Sequence, residues 1–300
     1  RWAVSGVDNR RSSRRSAGVN AGAGWSGRWV EGVRPEPCRA CDTLAAMASS
    51  PLPAAGADNE PTGPRILVGT SGYNYAEWKG SFYPEKLPAK KMLPFYAERL
   101  STVEINYTFY RMLTDSLLTG WSEVTPDHFR FTLKAPRRIT HIARLRGCEE
   151  MASAFCGAAQ TLGAKLGVLL FQLPPSFKKD WAVFDEFLGI LPPGVRAAFE
   201  FRHVSWHDPD VFDRLRARRL ALCVADSERM TTPIEVTVPY GYFRLRDQGY
   251  QPDDIARWAE TIATASAACG EVFVYFKHED EGKGPEFARM LLDALPAPAH

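Results

Sequence analysis

The chain has 300 residues, 45% of them hydrophobic, and a formal net charge of +2. No stretch approaches the ~20 consecutive apolar residues of a membrane-spanning helix. The charge excludes nucleic-acid binding driven by bulk electrostatics: residues 1–46 hold eight Arg and four acidic residues, which leaves the remainder at −2.

Residues 1–46 are rich in Arg, Ser, Gly and Ala and show no hydrophobic period. Met47 opens a Pro/Ala/Gly linker and is expected as the natural start. Residues 1–63 are expected to be a disordered tail and linker, and 64–296 one folded domain. Within the tail, Cys38 and Cys41 lack the second pair or His partner that zinc requires. The six cysteines have no disulfide-framework spacing, so a reducing, cytoplasmic setting is expected.

From residue 65 onward, short runs rich in Val, Ile, Phe, Tyr and Leu alternate with amphipathic segments. Strands are predicted over Ile66–Gly69, Thr102–Thr108, Phe129–Lys134, Gly167–Gln172, Ala197–Phe201, Ala221–Ala225, Tyr240–Leu245 and Val272–Phe276. Helices are predicted over Leu87–Leu100, Ser116–Val124, Glu149–Leu162, Trp181–Leu191, Pro209–Arg218, Pro252–Ala268 and Pro285–Leu295. The stretch Glu228–Pro239 is too short and too β-branched for another, so one outer helix between strands six and seven is missing or reduced. Eight strands in strand–helix alternation predict an α/β fold, a (β/α)8 TIM-type barrel. GTSGY (69–73) after the first strand argues against an open dinucleotide-binding sheet, which places GxGxxG there.

In such a barrel the strand C-terminal ends build the site. Those ends carry Tyr73 and Trp78, Asn106 and Tyr110, Lys134 and Arg137, Gln172, Glu200 and Arg202, Asp226, Arg244 and Tyr275. Period-2 alternation puts Glu104, Asn106 and Thr108 on one strand face, and Glu200 with Arg202 on another. The outer faces must be apolar against helices, so the charged sets are expected to point into the barrel mouth.

Six blocks in order, GTSGYNYAEWKGSFYP (69–84), VEINYTFYR (103–111), KAPRRITHIARL (134–145), LLFQLPPSF (169–177), AFEFRHVSW (198–206) and VYFKHEDEGKGPEFA (274–288), resemble the domain-of-unknown-function 72 family, also called YecE-like. The resemblance covers about residues 65–295 and implies a TIM-type barrel. It implies no particular reaction.

Two functional readings follow. In the first, the protein is an enzyme, hydrolase-like or isomerase-like, acting on an anionic or sugar- or nucleotide-containing substrate. Glu200 is then the general acid or base, oriented by Arg202, with Asp226 as a second carboxylate. Lys134, Arg137 and Arg244 clamp the anion, because cationic forks match its oxygens. Gln172, Asn106 and Tyr110 orient the ligand. Tyr73 and Trp78, with Tyr75, Phe82 and Tyr83, either stack against it or pack as a lid. The second reading is a non-catalytic binding module for nucleic acid or a phosphorylated ligand. In either reading the charges have a structural alternative, in which they neutralise one another inside the barrel. No cofactor is expected. No HxH or HExxH motif points to a metal site.

Overall fold

In the computed structural model, which describes residues 63–296, each apolar run becomes a parallel strand. The expectations for the tail, for Met47 as the start and for the Cys38–Cys41 pair lie outside the described residues, apart from Gly63 at the edge. The strands are β1 (Arg65–Ser71), β2 (Thr102–Ile105), β3 (Arg130–Lys134), β4 (Leu166–Gln172), β5 (Ala197–Glu200), β6 (Ala221–Leu222), β7 (Val224–Asp226), β8 (Tyr240–Leu245) and β9 (Glu271–Phe276). They pair in the order β6-β5-β4-β3-β2-β1-β9-β8-β7. The two ends of that order, β6 and β7, are halves of one extended stretch interrupted at Cys223. β6 pairs with β5 and β7 with β8, while the Cys223 amide donates to the Phe199 carbonyl at 2.9 Å. The ring therefore closes through the chain itself, and the expected TIM-type barrel is what forms.

Around it lie helices α1 (Met92–Ala97), α2 (Tyr107–Tyr110), α3 (Asp115–Glu123), α4 (Glu149–Ala159), α5 (Trp181–Ile190), α6 (Pro209–Ala217), α7 (Pro252–Ala265) and α8 (Lys283–Ala294). Their starts follow ordinary capping chemistry. Thr114, Asp180 and Asp208 side chains accept backbone amides ahead of α3, α5 and α6, and proline opens α6 and α7. Between β7 and β8, residues 227–239 form no helix. Instead the Thr237 hydroxyl accepts from the Leu222 amide at 3.0 Å and donates to the Leu220 carbonyl at 2.7 Å, tying the loop to β6.

Two of the departures from the expected boundaries have a plain local cause. The second strand ends at Ile105, because Asn106 turns into the helical region and the Thr108 hydroxyl donates to the Ile105 carbonyl at 3.1 Å. Asn106 and Thr108 therefore leave the strand, and α2 takes their place. The first predicted helix narrows to a 3-10 turn, Ala89–Lys91, followed by α1, since Pro88 precedes one and Pro94, which lacks an amide, is tolerated only in the first turn of the other.

Two apolar layers separate cleanly. The barrel interior holds Leu67, Val168, Leu170, Ala198, Ala221, Cys223, Phe273 and Tyr275, while Val103, Leu133, Phe171, Phe199 and Val274 join the larger core that also takes in the buried helix residues. Small residues on β5 and β6 make room for the large rings of β8 and β9. Gly69 sits where any Cβ would overlap the Thr102 carbonyl oxygen of the neighbouring strand. Gly69→Ala is expected to destabilise the barrel by about 1–3 kcal/mol, read as a lower urea midpoint with unchanged slope.

Candidate functional site

The polar groups rise through the barrel in steps. Midway, the Tyr275 hydroxyl donates to Thr132 Oγ1 at 2.7 Å and bonds Thr102 Oγ1 at 2.8 Å. Tyr242 donates its hydroxyl to Glu104 Oε2 at 2.7 Å. Arg244, in register beside Tyr275, links two carboxylates. Its Nη2 donates to Glu104 Oε1 at 2.7 Å, and its Nη1 donates to Glu200 Oε2. Glu104, Glu200 and Arg244 are all fully buried. Gln172 Nε2 donates to both Glu200 oxygens, at 3.0 and 2.9 Å, and Arg202 Nε reaches Oε1 at 2.6 Å. Arg246 Nη1 stands 3.8 Å from the same oxygen.

Burial alone would raise both carboxyl pKa values, but neighbouring cations win. Arg244, then Lys134, holds Glu104 below the usual carboxylate range. Arg202, Arg244 and Arg246 hold Glu200 well below it. Glu200 is therefore a fixed anion whose lone pairs are already engaged. Its expected role as general acid or base does not fit this environment.

Lys134 behaves oppositely. Burial lowers its pKa first and repulsion from Arg244 second, against the pull of Glu104 and Glu200, to about 7. Its Nζ lies 4.2 Å from the Phe109 ring centroid. His141, on a π-helical turn over Arg138–Ile142, packs edge-on against Phe109 with centroids 4.9 Å apart. Partial burial, Lys134 and Arg202 lower the His141 pKa to about 4, so its ring is neutral near pH 7.

These groups open into a mouth pocket of about 280 Å³ lined by Tyr75, Asn106, Phe109, Tyr110, Lys134, Gln172, Arg202, Arg246, Lys277 and Glu279. Four cationic side chains line it, and Glu279 is the only acidic one. Glu279 is bound to Lys277 at 3.1 Å. Even with Glu200 beneath, positive charge is in excess. Two buried atoms also lack hydrogen-bond partners: Arg246 Nε, a donor, and Asn106 Oδ1, an acceptor. The arrangement can hold an anion and one further hydrogen-bonding group.

The predicted site residues divide. Lys134, Gln172, Arg202, Asn106 and Tyr110 come together at the mouth, and Glu200 lies directly below. Arg244 does not reach the pocket, because two carboxylates consume its guanidinium. Tyr275 is sealed in the barrel by its threonine partners. Trp78 is fully buried and donates Nε1 to the Glu279 carbonyl at 2.9 Å, so it packs on its own domain and does not face the mouth. Asp226 points away from the barrel interior. Its neighbours Cys223 and Ala225 face inward, while its own oxygens accept from Tyr250 at 2.7 Å and Thr231 at 2.6 Å. It cannot pair with Glu200. Arg137 is exposed at the head of the π-helical turn, outside the pocket lining. Tyr73 lines an adjoining cavity instead.

Arg246, Lys277 and Phe109 were not singled out as ligand-binding by sequence reasoning. Alternation from Arg244 does point to Arg246. Phe109 had no such signal, because it lies just past the predicted strand, where alternation gives out. Among the described residues no group of three or more His, Cys, Asp or Glu is placed to hold a metal ion. No described helix is long and apolar enough to cross a membrane.

Comparison with known proteins agrees with this architecture. A family model described as "Protein of unknown function DUF72" matches residues 67–300. The UPF0759 protein YecE of Escherichia coli (strain K12) is 33% identical over 109 residues, covering 36% of this chain and only 40% of that protein's length. The UPF0759 protein YunF of Bacillus subtilis (strain 168) is 23% identical over 269 residues, 77% of this chain and 94% of the relative. Among solved structures, a DUF72 family protein from Thermotoga maritima MSB8 superposes with a TM-score of 0.70 at 25% identity, over 76% of this chain and 98% of that one. Another, from Enterococcus faecalis V583, gives 0.66 at 20% identity over 78% and 97%, a likeness of fold alone.

Proposed function

The chain belongs to the DUF72 family, and on that premise we propose that it is an enzyme acting on a small anionic, hydroxyl-bearing molecule at the barrel mouth. Lys134 is the group that moves a proton, and Glu200 is the fixed charge that orients Arg202 and Arg246. The observation that carries this reading is the placement of Lys134. It is nearly buried at the floor of a cationic pocket, its pKa drawn to about 7, with no carboxylate among the described residues within salt-bridge reach. A general acid–base works best with a pKa near the working pH. Arg246 Nε and Asn106 Oδ1 would meet the substrate's oxygens and one of its hydroxyl or amino groups.

Sulfate tests the reading, because its charge is constant across the range. Titrated calorimetrically, its affinity is expected to fall about tenfold or more between about pH 6 and about pH 9, as Lys134 loses its proton. Affinity that ignores pH, or no binding at either pH, would overturn the proposal.

A further inference from the structure

A second cavity adjoins the mouth pocket. It also measures about 280 Å³ and shares two walls with it, Tyr75 and Asn106. Its remaining walls include Tyr73, Tyr107, Leu117 and Trp121. The two compartments differ in chemistry. One gathers the cations at the C-terminal ends of β3, β5, β8 and β9. The other gathers flat rings from the loop after β1 and from α2 and α3. Between them sits Asn106, whose Oδ1 is buried and unpartnered.

We infer that the two cavities form one bipartite site for a phosphomonoester built on a planar ring, of which a nucleoside monophosphate is the simplest case. This deepens the function proposed above and rests on its anion pocket. The phosphate enters the mouth, where Lys134 supplies a point charge and Arg246 an unused donor. A dianion matches the surplus of positive charge there better than a single carboxylate does. The ring lies against Tyr73, Tyr107 and Trp121, because aromatic faces hold flat rings whatever their substituents. A ring-borne amine or sugar hydroxyl donates to Asn106 Oδ1 at the junction. The cavity also accounts for Tyr107, a large ring left 47% exposed on the short helix α2.

Calorimetry with adenosine 5′-monophosphate, ribose 5-phosphate, inorganic phosphate and adenosine separates the parts. The monophosphate is expected to bind about tenfold tighter than ribose 5-phosphate, a gain of the size one stacked base contributes. Inorganic phosphate is expected to bind at the same mouth, and adenosine more weakly than the monophosphate. Tyr107→Ala, at a half-exposed position, is expected to bring the monophosphate down to the level of ribose 5-phosphate and leave ribose 5-phosphate unchanged. Equal affinity for those two ligands in the unmodified protein would overturn the ring site while leaving the anion pocket standing. Monophosphate binding unaltered both in Tyr107→Ala and in Trp121→Leu would overturn its location. Failure of all three phosphates to bind would instead overturn the function proposed above.

Discussion

Arg244→Met is expected to cost the fold about 3–5 kcal/mol and to lower the melting temperature by roughly 6–20 °C. Arg244 has no exposed surface and bridges two carboxylates that also have none. Methionine keeps an unbranched apolar stem but removes the guanidinium, and leaves Glu104 with only the Tyr242 hydroxyl and the more distant Lys134. Glu200 keeps Arg202 and Gln172, so Glu104 is the stranded charge. Adding Glu104→Gln to Arg244→Met is therefore expected to recover part of the loss, because an amide needs no counter-charge. Thermal melting and urea denaturation of the single and double variants read both effects. A loss below about 1 kcal/mol in the single variant would contradict the account of the buried network.

Lys134→Met is expected to abolish turnover while making the protein more stable. Removing a positioned general acid–base typically costs about 10²–10⁴ in rate. The stability change runs the other way, because the native state holds the Lys134 pKa at about 7 against an ordinary value of 10.5. Below pH 7 both states are protonated, and the native state bears the full cost of a buried ammonium. Between 7 and 10.5 the native state has released a proton that the unfolded chain still holds, so stability rises with pH. The variant should therefore exceed the unmodified protein by about 1–3 kcal/mol near pH 6, with the gap closing toward pH 10. Sulfate binding should weaken and lose its pH dependence. Melting temperatures across pH and the sulfate titration together test this. A variant less stable at pH 6, still binding sulfate with the same pH profile, would rule out the role given to Lys134. A non-catalytic binder would show the stability and sulfate effects without any turnover to lose.

Much of the barrel was readable from residue order, and the reason is local. Each strand carries its own alternation, so Glu104 against Val103 and Ile105, or Glu200 against Phe199 and Phe201, assigns inside and outside without tertiary knowledge. Height along the barrel axis is another matter, because it depends on stagger between strands. Arg244 and Arg246 share a face, yet one is enclosed between carboxylates and the other opens to the pocket. Tyr275, in register beside Arg244, bonds threonines instead of carboxylates. Nothing within a single strand encodes that order. Asp226 is a different case: the small residues Ala221, Cys223 and Ala225 mark the crowded inner face, and the same alternation leaves Asp226 on the outer one. Trp78 and Phe109 depended on loop and helix geometry that composition does not reveal.

Where the sixth stave of the barrel breaks at Cys223, the wall is thinnest. Two residues join it to one neighbour and three to the other, and no helix braces it from outside over 227–239. The β5–β6 ladder is the shortest in the barrel, so breathing of the ring should begin on this side. The polar mouth, anchored chiefly on β2, β4, β5 and β8, thus has a compliant margin next to β5 and β8, the strands that carry Glu200 and Arg244.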